Sequence, residues 1–217
     1  MLFRSLVDDH PFMRAGLQQL IDRQPDLVVC GEAGNPAEAF QQLSSERPDL
    51  VLTDLTMPGR GGLEFLRDLR AAHEGLLILV VSMHDEAVYA ERALRAGARG
   101  YLMKEAGGEN MLAAIRRVLG GEVYVSPRMS ARILNALSAG RPRGSRSPIE
   151  QLTDREFEVF QLIGQGRSTR DIAAELHLSP KTVDVHRGHI KEKLGLRDAM
   201  ALIRHAVRWV ETRPDGE

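Results

Sequence analysis

The chain has almost no cysteine. Cys30 is the only one in 217 residues, which excludes an internal disulfide framework and a cysteine-rich metal site and makes a reducing compartment the simple reading. Long apolar runs are also missing. The longest, Leu76 to Val81, is far too short to cross a bilayer, and residues 1–10 carry Arg4, Asp8, Asp9 and His10 where a secretion signal needs an apolar core. A soluble, cytoplasmic protein without membrane attachment is therefore expected. Net charge is nearly absent too: 29 lysines and arginines face 30 aspartates and glutamates. What is present is 43% hydrophobic and 27% charged residues, enough to exclude general disorder and to build one large or two small cores.

The neutral total hides a division. Ala139 to Pro148 reads AGRPRGSRSP, a stretch of structure-breaking Gly, Ser and Pro with three arginines and nothing apolar to pack. Residues 1–130 hold 14 basic and 18 acidic residues and the remainder 15 and 12, so the front is −4 and the back +3. The asymmetry is small, and its signs suit a cation-binding module followed by a phosphate-binding one. Ahead of the break, β-rich runs at Leu2–Val7, Leu27–Gly31, Leu50–Thr53, Leu77–Ser82 and Gly100–Met103 alternate with amphipathic stretches at Met13–Asp22, Ala37–Ser45, Leu63–Arg70, Ala87–Ala96 and Met111–Leu119. Continuously apolar strands such as Leu77 to Val81 suit a parallel sheet buried on both faces. The expected fold class is α/β, a doubly wound five-stranded parallel sheet, with a second, small all-α domain whose helices are expected at Asp154–Gly164, Ser168–Leu176, Pro180–Leu194 and Asp198–Val210.

Ligands of such sheets sit at the carboxyl ends of the strands. Strand 1 runs into Asp8 and Asp9, strand 3 into Asp54, strand 4 into Ser82 and strand 5 into Lys104. A lone strand-end aspartate is commonly a cap or a turn residue; the convergence of these residues on one rim singles them out. Gathered carboxylates repel unless a hard cation neutralises them, and a few carboxylates plus water suit Mg²⁺. Asp54 can then attack a phosphoryl donor, with Ser82 and Lys104 binding the oxygens.

VDDH at Val7 to His10, TDLTMPGRGGLE at Thr53 to Glu64, VVS at Val80 to Ser82 and GYLMK at Gly100 to Lys104 resemble the receiver domain of bacterial two-component response regulators. The resemblance implies a flavodoxin-like fold in which Asp54 is phosphorylated, Asp8 and Asp9 bind the metal and the backbone carbonyl of Thr56 completes its shell. It also implies Ser82 and Tyr101 as the switch pair, and matches Pro58 and Gly62 to the family loop. Without the resemblance, Tyr101 reads first as a plain core aromatic. Phosphorylation adds charge and acceptor oxygens; drawing Ser82 inward would open space for Tyr101 to enter. His10 and His84 flank the rim, the first as a helix-start residue, the second as an influence on water access.

In the basic half, Ser168 to Gly188 has helix-turn-helix grammar: a helix, a turn through His177, Leu178 and Ser179, then a helix entered by a Ser-Pro cap. Thr153 and Glu156 form an expected capping box. Val183, then Arg187 or His186, Ile190 and Leu194 make a core stripe. Lys181, Asp184, Val185, Gly188 and Lys191 face a DNA groove, with Lys181, Thr182, Arg187 and Lys191 as backbone contacts and Val185 suited to a thymine methyl. Ser168, Thr169 and Arg170 at the first helix start could hold a phosphate. Asp184 could accept from cytosine N4 or repel wrong sites, or simply pair on the surface with Lys181 or Arg187. LTDREFEVFQLIGQG, STRDIAAELHLSPKTVDVHRGHIKEKLG and the closing helix resemble the LuxR-type DNA-binding domain.

Receiver plus LuxR-type domain implies the NarL/FixJ subfamily: a receiver at 1–122, a linker region at 123–148 and the helix-turn-helix domain at 149–214. The implied partners are a sensor histidine kinase, promoter DNA and a second copy of the chain on DNA. Competing readings are an aspartate-dependent phosphohydrolase, disfavoured because Thr56 stands where a second acid is wanted, and a constitutive or ligand-gated DNA binder.

Overall fold

The apolar runs at Leu2–Val7 (β1), Leu27–Ala33 (β2), Leu50–Thr53 (β3), Leu77–Ser82 (β4) and Gly100–Met103 (β5) form one parallel sheet in the computed structural model, in the order β2-β1-β3-β4-β5. Residues 2–57, 61–138 and 148–212 are described, and the chain divides into two units, 1–140 and 141–217. The break at 139–147 and Pro58 of the loop motif lie outside the described residues.

Burial explains the continuous apolar strands. Leu6, Leu50, Leu52, Leu79, Val81 and Leu102 pack with Leu17 and Ile21 of α1 (Pro11–Asp22) and with Met111, Ile115 and Val118 of α5 (Gly108–Leu119). The alternate residues Val7, Val51, Ile78 and Val80 are equally buried. The remaining helices of the βα repeats are α2 (Pro36–Glu46), α3 (Gly62–Ala72) and α4 (Glu86–Ala96). The strand order reverses beside β1, which puts a crevice between the carboxyl ends of β1 and β3.

Local chemistry sets the helix starts. Asn35 caps α2 through Glu38, with Pro36 in the first turn, and Asp85 caps α4 through Ala87. At the head of α3 only glycine fits: a Cβ on Gly62 would stand 2.2 Å from the Leu55 carbonyl oxygen, one residue beyond Asp54. Arg4 breaks the apolar pattern of β1. Its side chain is fully buried and, among the described residues, its three guanidinium nitrogens have no hydrogen-bond partner; burial lowers its pKa, with Asp49 and Asp26 opposing.

The stretch expected as linker contains structure. Tyr124 bridges to Gly100 beside β5, and a further helix, α6 (Pro127–Ser138), follows. The Ser126 hydroxyl accepts from Met129 N at 3.1 Å, and Ser126 N donates to Glu86 Oε1 at 2.7 Å, so α6 begins against the start of α4 with Val125 and Met129 buried. Ser126-Pro127 is the same Ser-Pro start signal as Ser179-Pro180. The charged, breaker-rich residues that follow it mask the signal in the sequence.

The second unit holds α7 (Asp154–Gly164), α8 (Thr169–Glu175), α9 (Pro180–Leu194) and α10 (Ala199–Glu211). Phe157, Phe160, Ile163, Ile172, Val183, Ile190, Leu202 and Ala206 form its core, and Trp209 meets Phe157 edge-on at 5.4 Å. Gly164 allows α7 and α10 to approach: a Cβ there would lie 2.6 Å from the Ala206 carbonyl oxygen.

Candidate functional site

Each strand end delivers its residue to one rim. Asp54 N donates to the Val7 carbonyl at 2.9 Å, fixing the start of the loop after β3 beside β1. Asp8 and Asp54 are both 3% exposed, and Lys104 Nζ lies 2.7 Å from Asp8 Oδ2 and 2.7 Å from Asp54 Oδ2. The other oxygen of Asp54 accepts from Leu55 N at 2.6 Å. Asp8 Oδ1 accepts from His10 N at 2.9 Å, and Arg14 donates to the Asp8 carbonyl. Burial works to lower the pKa of Lys104, but its hydrogen bonds to Asp54 and Asp8 outweigh that and hold it above the ordinary lysine value. Its contribution to stability is therefore complete through neutral pH and is lost only in alkali.

The donor set fits a hard cation. Ligand atoms of Asp8, Asp9, His10 and Asp54 lie within 4.8 Å of one another. Among the described residues Asp9 Oδ1 is buried without a hydrogen bond, although it lies 2.8 Å from His10 Nδ1. Lys104 supplies one positive charge against three carboxylates, so the rim retains an unmet demand for cationic charge.

Around this rim Ser82 is fully buried, and its hydroxyl accepts from His84 N at 3.3 Å. Tyr101 is also fully buried, and its hydroxyl donates to the His84 carbonyl at 2.7 Å. Burial raises the pKa of the Tyr101 phenol, with a Ser82 hydrogen bond opposing. Both residues of the expected switch pair, Ser82 and Tyr101, are therefore buried side by side with the loop at His84. The Tyr101 ring is inside, where the His84 carbonyl satisfies its hydroxyl. His84 stacks on Tyr89 at 4.5 Å and its Nε2 lies 2.9 Å from Thr56 Oγ1, an arrangement that sequence spacing alone did not reveal.

In the helical unit, Ser168 and Asp171 form a capping box on α8, and Thr153 with Glu156 forms one on α7. The Ser179 hydroxyl accepts from Thr182 N at 3.0 Å and starts α9. Lys181, Val185 and Gly188 are exposed on α9 opposite buried Val183 and Ile190, and Asp184 is exposed on the flank between Val183 and Gly188, whereas Thr182 and Lys191 are half-buried. Ser168 and Arg170 are exposed at the head of α8; Thr169 is half-buried, and its hydroxyl accepts from Arg187 Nη1 at 3.0 Å. Arg187 is therefore a tie between α8 and α9. His186, the other candidate for the core stripe, is half-buried with Nδ1 unpartnered among the described residues, and burial lowers its pKa. Thus neither residue fills the stripe as an aliphatic side chain would.

Glu156 joins the two sides of this unit. It accepts from Thr153 N at 2.7 Å and from Lys193 Nζ at 2.6 Å. Burial raises its pKa, but Lys193 and Thr153 together bring it below the ordinary 4.5. A folded pKa below the unfolded one gives stability that is complete above the unfolded value and lost as pH falls through the folded one. Glu156→Gln is expected to destabilise this unit by about 1–2 kcal/mol at pH 7 in urea titrations, with the difference from wild type shrinking below pH 4.5. A difference that ignores pH would remove the charge of Glu156 from this account.

An acidic rim at the switch point of a 2-1-3-4-5 sheet, joined in one chain to a basic helix-turn-helix unit, defines a receiver coupled to a DNA-binding module. A family model for the response regulator receiver domain matches residues 5–116, and one for bacterial regulatory proteins of the luxR family matches residues 150–206. The chain belongs to the response regulators, with a receiver followed by a LuxR-type DNA-binding domain as in the NarL/FixJ type; it is a regulator of transcription. Similar proteins include the transcriptional regulatory protein UhpA of Salmonella typhimurium, 38% identical over 202 residues that cover 93% of this chain and 96% of UhpA. The oxygen regulatory protein NreC of Staphylococcus carnosus is 33% identical over 207 residues, covering 94% and 95%. Among solved structures, the response regulator ChrA of a heme-sensing two-component system is 32% identical with a TM-score of 0.52, covering 97% and 98%. RcsB from Salmonella enterica serovar Typhimurium, solved on promoter rprA with a beryllofluoride phosphomimetic, has a TM-score of 0.63 at 22% identity over 95% and 99%, a likeness of fold. No described helix is long and apolar enough to cross a membrane.

Proposed function

We propose that Asp54 accepts a phosphoryl group from a sensor histidine kinase or a small phosphodonor, and that this controls promoter binding by α8 and α9 in a cytoplasmic protein acting as a homodimer on DNA. The observation that carries the reading is the Lys104 ammonium held between the buried carboxylates of Asp8 and Asp54 at 2.7 Å each. An Asp54 carboxylate oxygen forms the new bond to phosphorus as the bond to the donor breaks. Asp8, Asp9, Asp54 and the Thr56 carbonyl would hold Mg²⁺, which supplies charge to offset the phosphoryl oxygens when bound. Lys104 and Ser82 bind those oxygens.

Transmission follows hydrogen bonds already made. Ser82 holds His84 N, and Tyr101 holds the His84 carbonyl. A Ser82 hydroxyl turned to a phosphoryl oxygen releases the first of these and shifts the loop that starts α4. Asp85 caps α4 and Glu86 binds Ser126 at the head of α6, so the shift reaches the segment leading to the second unit. The receiver proposed at 1–122 thus acts through an extension in the 123–148 region, and the DNA-binding domain occupies 149–214. On DNA, Ser168, Thr169, Arg170, Lys181, Thr182 and Lys191 serve phosphate contacts; Arg187 fixes the angle between α8 and α9; and Asp184, Val185 and Gly188 face the bases.

Affinity of the full chain for promoter DNA, measured with and without beryllofluoride and Mg²⁺, tests this. An increase of about tenfold or more is expected, falling steeply with salt at each state. A change smaller than about threefold favours the constitutive binder.

A further inference from the structure

The recognition helix α9 carries a carboxylate where it meets a polyanion. Asp184 is exposed on the flank of α9 between buried Val183 and exposed Gly188, and among the described residues it makes no hydrogen bond or ion pair. The surface partnerships that would make it unremarkable are not formed: Arg187, three residues on, donates to Thr169 Oγ1 at 3.0 Å, and Lys181, three residues back, is not joined to it. Asp184 is thus an unneutralised anion on the side presented to DNA.

Its neighbours on that face narrow what it can meet. Gly188, one turn further along, has nothing within 4 Å of where a Cβ would stand, so no packing demand explains the glycine. The missing side chain leaves α9 room to approach the bases beside Asp184. Val185 is 49% exposed, an apolar side chain left in the open next to it. Placed against a phosphate, Asp184 is repelled. Against base edges in the major groove, guanine offers only acceptors, thymine an acceptor and a methyl, and adenine an amino group beside the N7 acceptor; cytosine offers the N4 amino group. The last is the edge a carboxylate matches.

We propose that Asp184 is a specificity-determining residue that accepts a hydrogen bond from cytosine N4 in each half-site, an inference that rests on the DNA-binding reading of α9. The test selects bound sequences from random duplex DNA using the full chain with beryllofluoride and Mg²⁺, for wild type, Asp184→Ala and Asp184→Asn. Both substitutions are on an exposed helix face. Wild type is expected to enrich sites with a fixed C·G pair at one position of each half-site, and replacing that pair should weaken its binding about 5- to 150-fold. Asp184→Ala should lose the preference at that position while keeping the rest of the consensus, and Asp184→Asn should move it toward adenine, whose N6 and N7 an amide matches. An unchanged consensus in both variants overturns the assignment. So does a uniform tightening of Asp184→Ala on every sequence, which is the signature of a charge that only repels phosphates. Failure of wild type to enrich any sequence overturns the DNA-binding reading itself.

Discussion

Replacing Asp54 by asparagine is expected to abolish the acid-labile phosphoryl label that the proposed function predicts for wild type with acetyl phosphate and Mg²⁺. The amide keeps the shape of the side chain and one oxygen to accept from Leu55 N, which lies 2.6 Å from Asp54 Oδ1 in the wild type. It lacks the anionic oxygen that must form the bond to phosphorus. The expected effect is a loss of the reaction, because in the proposed site Asp8 and Asp9 serve the cation, and His10 N donates to Asp8 Oδ1 at 2.9 Å. Intact circular dichroism alongside lost labelling is expected, since Lys104 keeps its partner in Asp8. Labelling that persists unchanged in the variant would take the acceptor role away from Asp54.

Lys104→Met produces the second large effect, in stability. The Lys104, Asp8 and Asp54 side chains are 4%, 4% and 2% exposed, and the ammonium is the cation that the two carboxylates share. Removing one partner of a buried ion pair leaves charge unneutralised and costs about 3–5 kcal/mol. Protonation of a carboxylate absorbs part of this, so a loss of about 3 kcal/mol is expected in denaturant titrations with EDTA. Mg²⁺ should restore much of it, because a cation at the rim supplies the lost charge, and the variant should gain more from Mg²⁺ than wild type does. Equal midpoints for variant and wild type in EDTA would show that Lys104 is not what neutralises the rim. The two substitutions thus separate the acceptor from the group that balances its charge.

Much of this pocket is legible in the sequence because it depends on where strands end. Leu50–Thr53 and Leu77–Ser82 form strands with the bounds their apolar runs suggest, so Asp54 and Ser82 fall at the rim as soon as the sheet is parallel. The caps at Thr153, Ser168 and Ser179 follow from residues three positions apart. The helix α6 was just as legible in Ser126-Pro127, but its start is tied down by Glu86, 40 residues away. Other side-chain placements are set by distant neighbours and leave no mark in local sequence. Arg187 points to Thr169 rather than into the stripe or to solvent, and Glu156 is bound by Lys193 as well as by its own cap. Arg4 is enclosed although its residue type favours the surface.

The sequence by itself determined the alternation of elements, the strand ends that carry Asp8, Asp54, Ser82 and Lys104, and the division into an acidic and a basic part, because periodicity, capping and charge are properties of short stretches of chain. Tertiary structure alone decided that Lys104 rests between Asp8 and Asp54, that Tyr101 is inside with its hydroxyl on the His84 carbonyl, and that Asp184 has no partner among the described residues. The physical reason is that an ion pair or a buried hydroxyl depends on atoms brought together from residues 50 or 17 positions apart, and sequence spacing does not specify such distances.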